Sequence, residues 1–195
     1  SVLHFKLYRR DAHIPLSDVL PVMENLGLRV IAEHPNRIEV DGVTLYLQDF
    51  YVEATAGAID VAARAEAFTE AFARVWRGDA ENDGFDRLIL GADLDWRQVS
   101  MLRGYCKYLL QTGVPFSQAY VDGTFARYPL LARLLVELFE APFDPAPGNA
   151  SKDALAAGQA HLKAHLPLLA AVSAPLLTVP NPVARARNGA PHAST

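Results

Sequence analysis

Hydrophobic and polar positions alternate at the start of the chain. Leu3, Phe5 and Leu7 fall on one side and His4, Lys6 and Tyr8 on the other, the period of a half-buried strand. Arg9-Arg10-Asp11 closes it. The period then lengthens: Val19, Leu20, Met23 and Leu26 recur at helical spacing, with Ser17 as the expected N-cap, Pro21 near the first turn and Gly27 as the stop. A second strand is expected from Leu28 to about Glu33, bent or interrupted at Pro35-Asn36 before Arg37-Ile38-Glu39-Val40. Asp41-Gly42 is a hairpin signal, because a type I′ turn needs two residues that tolerate positive φ. A third strand follows, with Val43, Leu45 and Leu47 on one face and Thr44, Tyr46 and Gln48 on the other. Strand, helix, strand, strand is the opening of a ferredoxin-like βαββαβ unit.

Beyond that point the pattern is helical. Val61, Ala65, Phe68, Phe72 and Val75 form an amphipathic stripe over about residues 58–77, ended by Gly78. A polar turn, Asp79 to Gly84, leads to a short helix carrying Phe85, Leu88 and Ile89. Asp95-Trp96-Arg97-Gln98 resembles a capping box, opening a helix through Val99, Leu102, Cys106, Leu109 and Leu110, with Gly113 beyond its end. Ser117 caps a helix to about Arg127, and Pro129 starts another with Leu131, Leu134, Leu135 and Leu138 inward. Pro142 to Gly148 is a breaker cluster, and a last alanine-rich helix is expected from about Lys152 to Leu169. The fold class expected is α+β: a small ferredoxin-like unit over 1–56, a helical region over 57–172 and a flexible tail over 173–195. The long helix after the sheet is a candidate to pack on it and join the first two parts.

Composition narrows the function classes. Of 195 residues, 51% are hydrophobic and 21% charged, so the chain can build a real core. A net charge of −4 gives no electrostatic footprint for nucleic acid, and no basic cluster marks an anionic membrane surface. Cys106 is the only cysteine, which excludes an intrachain disulfide and reads as a small buried hydrophobe. No apolar run reaches the roughly 18 residues that span a bilayer. The start has neither a signal-peptide core nor an initiator methionine and reads as cut from a longer chain. The cytoplasm is the expected compartment.

Candidate chemistry is sparse. No G-x-G-x-x-G or Walker loop occurs, and Gly78, Gly84 and Gly91 fall between helices, so no cofactor is expected in this chain. His4, His13 and His34 lie on separate elements. His161 and His165 share a helix face without the Glu or third ligand of a zinc site. Ser17 and Ser117 serve as caps rather than nucleophiles, and Trp76 and Trp96 serve packing. Glu81, Asp83 and Asp86 cluster at a helix junction, where capping and the helix dipole account for acidic residues more simply than acid–base catalysis does. Arg9, Arg10 and Arg37 are the candidate contacts for an effector carboxylate, with a solvated sheet edge as the plainer account. No catalytic or metal residue is assigned.

Several stretches are more specific than their chemistry. Phe5-Lys6-Leu7-Tyr8-Arg9-Arg10, the run from Ile14 to Pro21 and Glu24-Asn25-Leu26-Gly27-Leu28-Arg29-Val30 resemble the large-subunit bacterial class of NAD-specific glutamate dehydrogenases. The likeness continues through Val75-Trp76-Arg77-Gly78, Ala80 to Leu88, Trp96-Arg97-Gln98-Val99, Leu102-Arg103-Gly104-Tyr105, Pro115-Phe116-Ser117-Gln118, Leu138-Phe139 and Phe143-Asp144-Pro145. The resemblance implies an ACT-like module and the helical stretch after it, lying N-terminal to the catalytic region of a very long chain. After about Val172 the chain departs from the family's pattern.

The resemblance further implies that the whole protein oxidatively deaminates L-glutamate to 2-oxoglutarate with NAD, while this piece does no chemistry. On that reading its partners are the catalytic region and other subunits, with an amino acid as a possible effector and neither nucleic acid nor membrane involved. A stand-alone ACT-like amino-acid sensor is the alternative; independent catalysis by this segment is disfavoured by the lack of a nucleophile or cofactor loop.

Overall fold

A computed structural model describes residues 2–57 and 59–140, together with 156, 159–160 and 163–164. The breaker cluster, the alanine-rich helix with its two histidines, and the tail fall largely or wholly outside the described residues. The chain divides into two units, Ser1–Val136 and Glu137–Thr195, and everything below concerns the first.

Three strands form one antiparallel sheet: β1 (Leu3–Arg10), β2 (Leu28–Val40) and β3 (Val43–Ala54), in the order β1-β3-β2. The hairpin expected at Asp41-Gly42 is present, with φ of 50° and 76° at its two residues. It sets the register from Val40↔Val43 outward. Helix α1 (Leu16–Asn25) connects β1 to β2, so the opening is the β-α-β-β unit anticipated from the alternation of periods.

Two local expectations need correction. Ser17 does not cap α1; the cap position is Pro15, and the Ser17 hydroxyl donates to Asp18 Oδ1 at 3.1 Å inside the first turn. The turn is held from the sheet instead. Gln48 of β3, buried, accepts from the Ile14 N–H (3.2 Å), and its Nε2 donates to the Ile14 carbonyl (3.1 Å). Nor does Pro35-Asn36 interrupt β2, which runs unbroken through it. Counted from the hairpin, Pro35 turns its nitrogen away from β3, where no ladder hydrogen bond is lost. The irregularity lies earlier, as a bulge between Val30 and Ala32.

The buried face of β3 carries Gln48, Phe50 and Val52. Val43, Leu45 and Leu47 therefore lie on the opposite face, which no helix covers among the described residues. The core face is covered by α1 through Val19, Val22 and Met23, and by α2 (Val61–Arg77) through Phe68, Ala71 and Phe72. The Phe5 ring meets Phe68 and Phe72 at 5.4 and 5.0 Å.

A 3-10 turn (Gly84–Arg87) then leads through α3 (Leu88–Gly91) to α4 (Trp96–Gln111), α5 (Gln118–Arg127) and α6 (Pro129–Glu140). One apolar cluster runs from Phe50 and Val52 through Leu88 and Ile89 to Val99, Leu102, Cys106, Ala132 and Val136. Sheet and helices thus share a core rather than meeting at a linker. No helix among the described residues is long and apolar enough to cross a membrane.

Candidate functional site

The acidic junction between α2 and α3 is where polar groups go underground. Asp83 caps the 3-10 turn, accepting from Phe85 N–H at 3.1 Å, while Asp86 reaches back to accept from Asp83 N–H at 3.1 Å. These are the two halves of a capping box. Arg103 of α4, 3% exposed, inserts between them. Its Nε and Nη2 donate to the two oxygens of Asp83 at 2.8 and 2.9 Å, a forked pair, and Nη2 also donates to Asp86 Oδ1 at 2.7 Å. Gln118 Nε2, from the first turn of α5, adds a 2.8 Å bond to Asp83 Oδ2. The guanidinium sits 5.9 Å from the Phe85 ring centre, and Lys107 pairs with Glu81 nearby. Asp83 therefore joins the turn to α4 through Arg103 and to α5 through Gln118.

Gly84 is needed here for closeness. A Cβ at that position would lie 2.5 Å from Asp122 Oδ2 of α5, so any side chain would drive the carboxylate off the turn. Burial raises the Asp122 pKa, and the charge of Asp83 adds to the effect.

The two ends of the Arg103–Asp86 pair respond differently. Burial pushes Asp86 up to about 6, against the pull of the Arg103 charge and the hydrogen bonds it accepts from Asp83 and Arg103. Burial also lowers Arg103, yet its hydrogen bonds and the charges of Asp83 and Asp86 outweigh this and raise its pKa overall. The asymmetry follows from numbers of partners: Arg103 draws on two carboxylates, Asp86 on one guanidinium.

Between an unfolded value near 3.8 and a folded value of about 6, the folded state binds more protons. The Asp86 contribution is thus fully present below pH 4 and is lost as pH rises through 6. Urea titrations from pH 4 to 6.5 should show Asp86→Asn gaining on the unsubstituted chain as pH rises, by about 2 kcal/mol. Equal pH dependence in the two proteins would show that Asp86 titrates normally.

The sequence-level candidates are not gathered at this place. Arg9 and Arg37 both stand opposite Tyr46, one on each neighbouring strand and on the same face of the sheet. Arg10 stands on the other face, bonded to Asp11 at 3.1 Å, and Arg37 is bonded to Glu39 at 2.6 Å. His4 and His34 flank the Tyr51 ring at 4.3 and 4.8 Å, while His13 lies 5.0 Å from Tyr46. No group of three metal-ligating side chains occurs among the described residues. Asp83 and Asp86 meet in the capping role anticipated for them, while the Glu81 side chain pairs with Lys107 of α4. Arg103 and Gln118 were not singled out, because nothing in their spacing announces a partner 20 or 35 residues away.

The β1–α1 connection has no glycine and the β3–α2 connection has only Gly57, so neither is a glycine-rich strand-to-helix turn.

Residues 1–64 match the family model for the ACT3 domain of glutamate dehydrogenase, and residues 80–145 match the model for its helical motif 3. The chain belongs to the glutamate dehydrogenase family. It is 48% identical over 147 residues to the NAD-specific glutamate dehydrogenase of Halomonas elongata, covering 75% of this chain and 9% of that protein. The corresponding Pseudomonas aeruginosa protein is 42% identical over 143 residues, covering 72% of this chain and 9% of its own length. The Mycobacterium tuberculosis protein is 38% identical over 154 residues, covering 74% and 10%. The chain thus spans about a tenth of the length of these relatives. Within this glutamate dehydrogenase segment the sheet and α1 fall inside the ACT3 match, and Asp83, Asp86, Arg103 and Gln118 all fall inside the helical-motif match.

Proposed function

We propose that this chain is a non-catalytic regulatory and assembly segment of an NAD-dependent glutamate dehydrogenase that converts L-glutamate, NAD and water to 2-oxoglutarate, ammonia and NADH. The observation that carries the reading is the fate of the buried charges. Asp83, Asp86 and Arg103 bind one another and, with Gln118 on Asp83, brace the turn, α4 and α5, so they serve rigidity. A rigid ACT-like sheet sharing one core with the helical motif suits a spacer or lever between subunits. NAD and the reacting groups belong to the rest of the polypeptide on this reading, and other subunits and the catalytic region are the partners, in the cytoplasm.

A second reading, amino-acid sensing, rests on Arg9 and Arg37 flanking Tyr46 on one sheet face, where a carboxylate could bridge them. One experiment addresses both. The full-length enzyme and a version lacking the segment equivalent to residues 1–136 are compared by sedimentation and by calorimetric titration with a panel of amino acids. The assembly reading expects a smaller particle after deletion. An unchanged particle with unchanged activity would overturn it, and a heat of binding lost with the segment would bring the sensing reading forward.

A further inference from the structure

The β-α-β-β unit stops one strand short. In a βαββαβ unit, a right-handed crossover from β3 through the second helix delivers a fourth strand parallel to β3, hence antiparallel to β1 and beside it. Here α2 occupies the helix position but leads on into further helices, and among the described residues nothing pairs with the outer edge of β1.

The two edges of the sheet are built differently. β2 carries the devices that blunt an edge: Pro35, the bulge beside Ile31, and the charges of Arg29, Glu33, Arg37 and Glu39. β1 is eight residues long with neither proline nor bulge, and its central charge, Lys6, is paired to Asp49 at 3.4 Å. Asp11 donates to Thr44 at 2.9 Å, which fixes the alternation along β1. Leu3, Phe5, Leu7 and Arg9 turn their backbone groups toward β3, while His4, Lys6, Tyr8 and Arg10 turn theirs outward.

The side chains show the same vacancy. Leu3, Phe5 and Leu7 point at the core yet are only half-buried, and Trp76 of α2 is 40% exposed. A cavity of about 180 Å³ lies between the sheet and the helices, touched by Leu3 and Phe5 of β1, Leu28 of β2, Val52 of β3, Phe68 of α2 and Leu90 of α3. Its size matches the ~150 Å³ cavities that admit a benzene ring, enough for one bulky side chain.

We propose that β1 receives a fourth strand from elsewhere in the same polypeptide, running antiparallel to it, with aliphatic residues over α2 and acidic residues on the opposite face. The charge follows from the outer face of β1, where His4, Lys6 and Arg10 stand with no acidic residue on the strand itself, sharing Asp49 of β3 and Asp11 between them. A second copy of β1 would set like charges against one another, which disfavours pairing. The source follows from length: the chain is about a tenth of its relatives, and a tethered strand acts at high effective concentration.

This inference rests on the chain being a segment of a longer dehydrogenase. Residue-resolved hydrogen–deuterium exchange on the full-length enzyme tests it. The outward amides of His4, Lys6 and Tyr8 should exchange as slowly as the inward amides of Phe5 and Leu7, about tenfold or more below the rate of an open edge, and should stay slow on dilution. In Lys6→Glu the outward amides alone should speed up.

Fast outward exchange beside slow inward exchange overturns the proposal. So does protection that disappears on dilution, which would place a second copy there, and so does a Lys6→Glu variant that keeps full protection. Each of these results leaves the sedimentation test of the assembly reading untouched.

Discussion

Replacing Arg103 with alanine is expected to lower the unfolding free energy by about 3–5 kcal/mol, the usual cost of breaking a buried ion pair from one side. The loss goes well beyond the Coulomb energy of the pair. Asp83 would lose both bonds of its fork and Asp86 its only guanidinium partner, in a pocket where Asp86 is 4% exposed. Gln118 alone cannot neutralise either carboxylate. The turn, α4 and α5 would then be joined by apolar contacts and the Gln118 bond. Urea unfolding followed by far-UV circular dichroism reads the effect as a drop in midpoint.

A compensated variant separates the two causes. Arg103→Met combined with Asp83→Asn and Asp86→Asn removes the charges together, and should recover much of the loss, since neutral replacement of a buried ionic group is often close to stability-neutral. An Arg103→Ala protein within about 1 kcal/mol of the unsubstituted chain would show that the network contributes little.

Phe50→Ala is expected to cost a similar 3–5 kcal/mol, whereas Leu45→Ala on the same strand should cost under about 1. Phe50 is fully buried in the central strand, opposite Phe5, whose ring meets those of α2, and its removal leaves a cavity in the shared core. Leu45 lies on the face that no helix covers among the described residues and is half-buried. Side-by-side midpoints of the two variants distinguish the faces. Equal losses would mean that the face bearing Leu45 is the packed one.

The periodicities of the chain were enough for the order of elements. Alternation at Leu3–Leu7, helical spacing at Val19–Leu26 and the Asp41-Gly42 turn determined the β-α-β-β opening, because these signals are local: each reports which groups a single strand or helix buries. The capping residues Asp95 and Ser117 were legible for the same reason, a side chain bonding amides two or three positions away. Local reading failed where the answer came from another element. Ser17 has the chemistry of a cap, yet Gln48, 34 residues beyond Ile14, holds the start of α1. Pro35 looks like a break, yet an edge strand tolerates it.

The face of β3 that is buried, the binding of Asp83 and Asp86 by Arg103, and the edge of β1 left without a neighbour among the described residues were all decided by tertiary structure. Period 2 says that a strand has two faces without saying which one meets the helices, and an ion pair across 20 residues leaves no mark in spacing. Charges and faces acquire partners only when the chain has folded back on itself, and that is where this segment's buried network and its open edge arise.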